Sequence, residues 1–396
     1  MSLDLLSVAT ITKHHANKGF RGGAFPNDPA NLDETVMQAA QSQISTWPGY
    51  QPTPLVCLPN IATVCGVKAV YYKDESCRFD LKSFKALGGA YAVANLVAAE
   101  IAAGRDPSQL TVTTATDGNH GRSVAFGAQL AGCRCEVYIH QHVSTVRESA
   151  MAAYGANVTR VTGNYEASLF ACKKDAEMHG RQIVSDTSWP GYRDIPLLIM
   201  AGYTLIGQEV IAQIGIGGEE EEETLSHCLL PVGVGGLAGG IVAPIWQHMN
   251  DKLPIMISVE SDMSACFLES IAAETPTLID ITEETLMAGL SCGEVSLLAW
   301  ELLQPSLSHC LAIDDAAVAP LMAAFANGII ADAPIEAGEC ATSGLAALLA
   351  AKKDPLLWQE MDFNSESVVL LIGTEGATDA DLYAELTAAG RTSTAV

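Results

Sequence analysis

The sequence predicts an α/β protein built on largely parallel sheets, and three observations carry that prediction. From Lys68 onward, short apolar strands alternate with amphipathic or alanine-rich helices, the pattern of βαβ units. At 396 residues the chain exceeds what one hydrophobic core organises, so two domains are expected. Polar, glycine-bearing loops fall directly after predicted strands, where parallel sheets bind their ligands.

Residues 1–50 contain one helical stretch, Asp33–Ile44, followed by a turn-rich, extended entry, Gly49-Tyr50-Gln51-Pro52-Thr53-Pro54-Leu55. Strands are predicted over Ala69–Lys73, Thr111–Ala115, Glu136–His140, Val158–Val161, Gln182–Ser185, Cys228–Val232, Ile255–Val259 and Val368–Ile372. Helices are predicted near Ala90–Ala103, Gly121–Leu130, Val146–Tyr154, Tyr165–His179, Thr204–Ile214, Leu237–Met249 and Ser343–Lys353. There is no internal repeat.

Composition narrows the function. The net charge of −25 argues against nucleic acid and anionic membranes as partners, because phosphates are repelled. Although 49% of residues are apolar, no uninterrupted apolar span reaches the roughly 18 residues of a transmembrane helix. Met1 to Leu6 lacks the basic start and long apolar core of a secretory signal. Eleven cysteines without paired spacing read as small buried hydrophobes in a reducing cytoplasm rather than as a disulfide framework. Cys133-Arg134-Cys135 is too tight for a zinc knuckle, and no metal site is expected. The acidic run Glu219–Glu223 reads as a solvated surface loop.

The chain is organised around Lys82-Ser83-Phe84-Lys85-Ala86-Leu87-Gly88-Gly89. Lys85 sits where a turn becomes a helix, with Phe84 and Leu87 beside it to exclude water. Desolvation and the positive end of a helix dipole both disfavour its ammonium, leaving an amine that can attack a carbonyl. The loop Gly233-Val234-Gly235-Gly236-Leu237-Ala238-Gly239-Gly240 can aim several N–H groups at one phosphate ahead of a helix. A tight turn without a ligand, or a dinucleotide site using Glu260 for the ribose, remains open on that loop alone; a P-loop is excluded by the missing Gly-Lys-Ser/Thr ending. Thr116-Asp117-Gly118-Asn119-His120-Gly121 supplies a hydroxyl, a carboxylate and an amide in six residues, though such a run is also ordinary turn chemistry. Together these parts suit a cofactor with an aldehyde, a phosphate and a phenolic oxygen: pyridoxal 5′-phosphate, held by Lys85.

Several further motifs carry a resemblance. They are Gly49 to Leu55, Lys73-Asp74-Glu75-Ser76-Cys77-Arg78-Phe79, Phe84 to Ala92 and Thr116 to Arg122. Asp186-Thr187-Ser188-Trp189-Pro190-Gly191-Tyr192, Met287-Ala288-Gly289-Leu290-Ser291-Cys292-Gly293-Glu294 and Thr374-Glu375-Gly376 continue it. The chain resembles the fold type II (tryptophan synthase β-like) pyridoxal-phosphate enzymes from about Gly49 to Asp379. Within them it resembles the 2,3-diaminopropionate ammonia-lyases, because dehydratases of the superfamily usually lack the aspartate corresponding to Asp117.

The resemblance implies two three-layer αβα domains. Residues 1–90 and 202–396 would form the large cofactor domain, and 91–201 a small inserted one that closes over substrate. It further implies a homodimer. Lys85, flanked by Phe84, would carry the cofactor and shuttle protons. Asn119 would bond the phenolic oxygen, Gly233, Val234, Gly235, Gly236 and Leu237 the phosphate, and Thr374 the pyridine nitrogen in place of the usual serine. Thr116, Asp117, Gly118, His120 and Asp186 would surround a small amino-acid substrate, with Asp117 as second base and Asp186 near the substrate amine. The implied reaction eliminates ammonia from D- and L-2,3-diaminopropionate, giving pyruvate and two ammonia. A serine, threonine or hydroxyaspartate dehydratase is the nearest alternative; a silent ligand-binding or nucleotide-dependent protein is the alternative of another class. Lys82 departs from the small or amide residue expected there, and Cys266 and Cys292 fall in neighbouring loops, as two free thiols or a bridge.

Overall fold

The computed structural model describes residues 5–26, 32–214 and 224–393; Met1–Asp4 and the acidic run Glu219–Glu223 lie outside the described residues. Among the described residues eleven strands form two sheets: β1 (Ile11–Ala16), β2 (Leu55–Cys57), β3 (Ala69–Asp74), β4 (Thr111–Ala115), β5 (Arg134–His140), β6 (Asn157–Val161), β7 (Gln182–Ile183), β8 (His227–Pro231), β9 (Ile255–Ser261), β10 (Leu307–Ile313) and β11 (Val368–Gly373). The larger sheet has the order β1-β10-β9-β8-β11-β3-β2, and the smaller β6-β5-β4-β7. All pairs are parallel except the two edges, β1 on β10 and β2 on β3. The central strands β8 and β11 are buried along their whole length, which is why they read as unbroken apolar runs.

The small sheet comes entirely from residues 111–183, whereas the large one draws on both ends of the chain. The expected domain boundaries at 90/91 and 201/202 both fall inside continuous helices, Lys85–Ala102 and Asp194–Ile214. These two helices pack closely because their contacts are made by small residues. A Cβ on Gly88 would stand 2.5 Å from the Tyr203 ring, and one on Gly202 would stand 2.6 Å from the Leu87 carbonyl oxygen. The helix Asp194–Ile214 is long and apolar enough to cross a membrane by length and composition, but it is mostly buried in the protein, as a core helix is. The expected helix at Thr204–Ile214 thus begins ten residues earlier, at Asp194, and the expected Ala90–Ala103 helix begins at Lys85 itself.

Three strands escape the sequence pattern for identifiable reasons. β1 (ITKHHA) is a polar edge, β2 has three residues between two prolines, and β10 (LSHCLAI) is interrupted by Ser308 and His309. The buried helix Val318–Ala326 is apolar on every side and so presents no stripe to read.

One buried charge cluster joins the entry segment to the sheet. Arg78, 1% exposed, donates to both oxygens of Glu75 and both of Glu209, and also to Thr53 Oγ1 and the Gln51 carbonyl. Lys73 Nζ uses its three N–H donors on Glu209 Oε2 (2.6 Å), the Thr53 carbonyl and Gln213 Oε1. Burial alone would push the Glu209 carboxyl up, but Arg78 and Lys73 hold it below the usual glutamate range. The motifs Gly49–Leu55 and Lys73–Phe79 are therefore two halves of one hydrogen-bonded core.

Removing one member of that cluster leaves the others charged and buried. Glu209→Gln is expected to cost about 3–5 kcal/mol in chemical denaturation. Lys82→Ala, which breaks only the exposed Lys82–Glu336 pair, should change stability by no more than about 1 kcal/mol. Equal effects would contradict this assignment.

Candidate active site

The site lies at the carboxyl ends of the parallel strands, as the rule for such sheets requires. The approach to Lys85 is bent: Phe79, Asp80 and Lys82 all have φ between 50° and 59°, an uncommon conformation for non-glycine residues. Arg122 holds this bend by donating to the carbonyls of Leu81 and Asp80. Lys82 turns away to pair with Glu336 at 2.7 Å, so the extra cation does not enter the site. The bend then pairs with the end of β11. Phe84 N–H donates to the Thr374 carbonyl, Gly376 N–H donates to the Lys82 carbonyl, and Ser83 bridges Glu375. This pairing places Thr374 beside the start of the Lys85 helix.

Lys85 Nζ forms a short ion pair with Asp186, which follows β7. Burial of the ammonium pulls its pKa down, but the Asp186 carboxylate, with Tyr203 and Cys292, outweighs burial and holds it above the usual lysine range. The expectation of a lysine that loses its proton through desolvation is thereby corrected: in this state it is an ammonium. Asp186 shows the reciprocal effect; burial raises its pKa, yet Lys85 and His120 drive it well below the usual aspartate range. Phe84 and Tyr203 close one side, their rings 4.9 Å apart and edge to face, with Nζ 5.6 Å from the Phe84 centroid.

In the next loop, Thr116 Oγ1 accepts from the N–H groups of Gly118 and Gly121, so its hydroxyl shapes the loop from beneath. Asn119 opens the helix Asn119–Ala131. His120 Nε2–H donates to the Val184 carbonyl, leaving Nδ1 buried, without a partner among the described residues, and 3.8 Å from Asp186. Asp117 Oδ1 accepts from His140 Nε2 at 2.9 Å. The His140 ring accepts the His142 N–H at Nδ1, which assigns the proton to Nε2. Burial raises the Asp117 pKa, opposed by His140; its side chain keeps 47% exposure, so solvent moderates the shift.

Two residues absent from the expected set join them. Tyr165, at the start of its helix, and Cys292 each lie within electrostatic reach of Lys85, Asp117 and Asp186. His140, Tyr165 and Tyr203 stand alone in sequence, outside any loop motif, and only tertiary folding brings them in.

The loop Gly233–Leu237 joins β8 to the helix Gly236–Met249, with Gly235 at φ +97°. A side chain at Gly235 would also meet the Phe267 ring at 2.6 Å, so glycine is required on both counts. The N–H groups at this helix start have no intrahelical acceptor and suit a phosphate. Cys266 and Cys292 both adjoin Gly233, and all eleven cysteines are free thiols. Glu260 cannot serve a ribose. It is fully buried and caps the helix Cys266–Ala273 through the N–H groups of Phe267 and Leu268.

The residues present fit pyridoxal phosphate. Thr374 is 1% exposed and its Oγ1 lacks a hydrogen bond among the described residues; the Glu375 carboxyl lies close enough to sense it without regular geometry. A buried orphan hydroxyl beside Lys85, and a glycine cradle on the next strand but one, are the features such a cofactor would satisfy.

Residues 46–370 match the family model of the pyridoxal-phosphate dependent enzymes. The chain is 34% identical over 357 residues to diaminopropionate ammonia-lyase of Escherichia coli K12, covering 87% of this chain and 89% of that protein. The crystal structure of the holo form of the E. coli enzyme superposes with a TM-score of 0.88, at 32% identity, over 98% of this chain and all of that one. The same enzyme in complex with an aminoacrylate-PLP azomethine reaction intermediate gives 0.86, at 34% identity and the same coverage. With that coverage and that identity, the chain belongs to the pyridoxal-phosphate dependent enzymes and, within them, to the diaminopropionate ammonia-lyase family.

Proposed function

We propose that this enzyme eliminates ammonia from 2,3-diaminopropionate, in both D and L forms, to give pyruvate and two ammonia. Membership of the ammonia-lyase family supports the reaction. The observation that supports the two-enantiomer reading is that two potential bases, Lys85 and Asp117, both lie within electrostatic reach of Tyr165 and Cys292.

Pyridoxal phosphate, when bound, supplies the electron sink that acidifies the Cα proton. Lys85, Asn119, Thr374 and the Gly233–Leu237 amides would hold it. Lys85 Nζ accepts the Cα proton of one enantiomer and Asp117 that of the other. His140 occupies Asp117 Oδ1, which leaves Oδ2 to act and fixes its direction. Asp186, the counter-ion of Lys85 in this structure, would pair with the substrate ammonium, and Lys85 Nζ would become available as a base once the substrate amine has taken its place on the cofactor. Phe84 and Tyr203 keep water from Nζ, and the neutral Thr374 hydroxyl suits elimination because a fully protonated ring is not needed. In the same reading residues 91–201 move over the substrate as a small domain, and the enzyme is a cytoplasmic homodimer. Eleven free thiols fit that compartment.

The deciding assay couples pyruvate release to lactate dehydrogenase, with D- and L-diaminopropionate, serine and threonine as substrates. Turnover of both diaminopropionate enantiomers is expected; turnover of hydroxy amino acids alone would make the enzyme a dehydratase. Asp117→Asn should lower D-form turnover about 10²–10⁴-fold and largely spare the L form. Because His140 lowers the Asp117 pKa, His140→Leu should move the acid limb of the D-form pH profile to higher pH. An unmoved limb would remove His140 from this role. In Asp186→Asn, the largest influence opposing burial at Lys85 is lost and only Tyr203 and Cys292 still oppose it, so its pKa falls and the cofactor-free protein should take up pyridoxal phosphate at lower pH than the wild type.

A further inference from the structure

The antiparallel edge of the large sheet carries a cluster that the reaction does not use. Along β1 and β10, Ala16 pairs with His309 and His14 with Leu311, which sets the two histidines diagonally on one face. His14 Nε2 and His309 Nδ1 share a hydrogen bond at 3.1 Å, whose proton a bound ion would replace, and the rings stack with centroids 5.4 Å apart. Glu360, the last residue of the helix Pro355–Glu360, faces them. One ligand atom from each of the three residues lies within 4.8 Å of the other two.

Two imidazoles bound side by side on one ion, with metal–nitrogen bonds of about 2.1 Å, hold their nitrogens about 3.0–3.4 Å apart. The observed separation falls in that interval. We propose that His14, His309 and Glu360 form a binding site for a divalent transition-metal ion of the zinc class, remote from the catalytic residues. Two imidazoles and one carboxylate select such ions over magnesium or calcium, which take all-oxygen shells. The remaining positions open onto a groove of about 400 Å³ bordered by Ile11, Lys353 and Asp354, where water completes the shell. Nearby cations are engaged elsewhere: Lys353 Nζ donates to the Ala9 carbonyl, and Lys13 pairs with Glu269 at 2.7 Å. The net charge of −25 adds a general attraction for cations.

The three ligands come from segments separated by 295 and 51 positions (309 − 14 and 360 − 309). A bound ion would therefore staple the N-terminal edge strand to the C-terminal part of the fold, closing a long loop.

The test is a titration of chelator-treated holoenzyme with Co²⁺, followed by its visible d–d bands, and thermal denaturation with and without Zn²⁺. One Co²⁺ per chain is expected, with nitrogen–oxygen rather than thiolate bands, and Zn²⁺ should raise the denaturation temperature. His14→Gln and Glu360→Gln alter partly exposed positions and should keep the cofactor's visible absorption as a sign of folding. His14→Gln should weaken binding at least about tenfold, and Glu360→Gln should weaken it as well. Equal affinity in the wild type and His14→Gln, no binding at all, or bands of thiolate coordination would each overturn the site, the last by placing the ion on cysteine.

Discussion

Two glutamates, an arginine and a lysine buried together are the constraint on which the catalytic half of this protein rests. Each ion taken from water without a partner costs several kcal/mol, so Lys73, Glu75, Arg78 and Glu209 are tolerated only as a set. Satisfying the set determines geometry. Arg78 must reach Glu209 on the helix Asp194–Ile214 and Gln51 in the entry segment while staying three residues from Glu75. That fixes where the chain leaves β3, and it forces the left-handed residues Phe79, Asp80 and Lys82 that turn it toward Lys85. The helix that supplies Glu209 also supplies Tyr203, which packs against Phe84. The reactive lysine and its water-excluding wall are thus located by the same four charges.

The electrostatics at the other end of this scaffold divide labour between two aspartates. Asp186, beside an ammonium, is driven well below the usual range; Asp117 is raised above it by burial, opposed by His140. Environments that push two like groups apart let two carboxyls differ in proton affinity at the same pH. The lysine belongs to the first arrangement. In the cofactor-free protein its proton is kept by Asp186.

Much of this was legible in the sequence because it is local. The helices Tyr165–His179 and Ser343–Lys353 run where their pattern put them, and Lys85, Asp117, Asn119 and Gly233 lie after strands at or beside helix starts, as the alternation of strands and glycine-bearing loops led one to expect. What escaped was either polar at an edge or set by distant partners. β1 and β10 hide behind His14, His15 and His309; the helix Val318–Ala326 has no polar face; His140, Tyr165 and Tyr203 acquire meaning only through residues far along the chain. The protonation state of Lys85 could not be read from its own neighbourhood, because the group that decides it is 101 positions away. Thr116 shows a part the loop's composition did not reveal: its hydroxyl accepts from the Gly118 and Gly121 N–H groups and so shapes the loop.

The central claim is that Lys85 is the lysine that carries pyridoxal phosphate. Reducing the holoenzyme with borohydride and locating the resulting pyridoxyl group by peptide mass spectrometry tests it most directly. The account predicts the label on Lys85, on the peptide that contains Phe84 and Leu87. A label on any other lysine, with Lys85 unmodified, would contradict it.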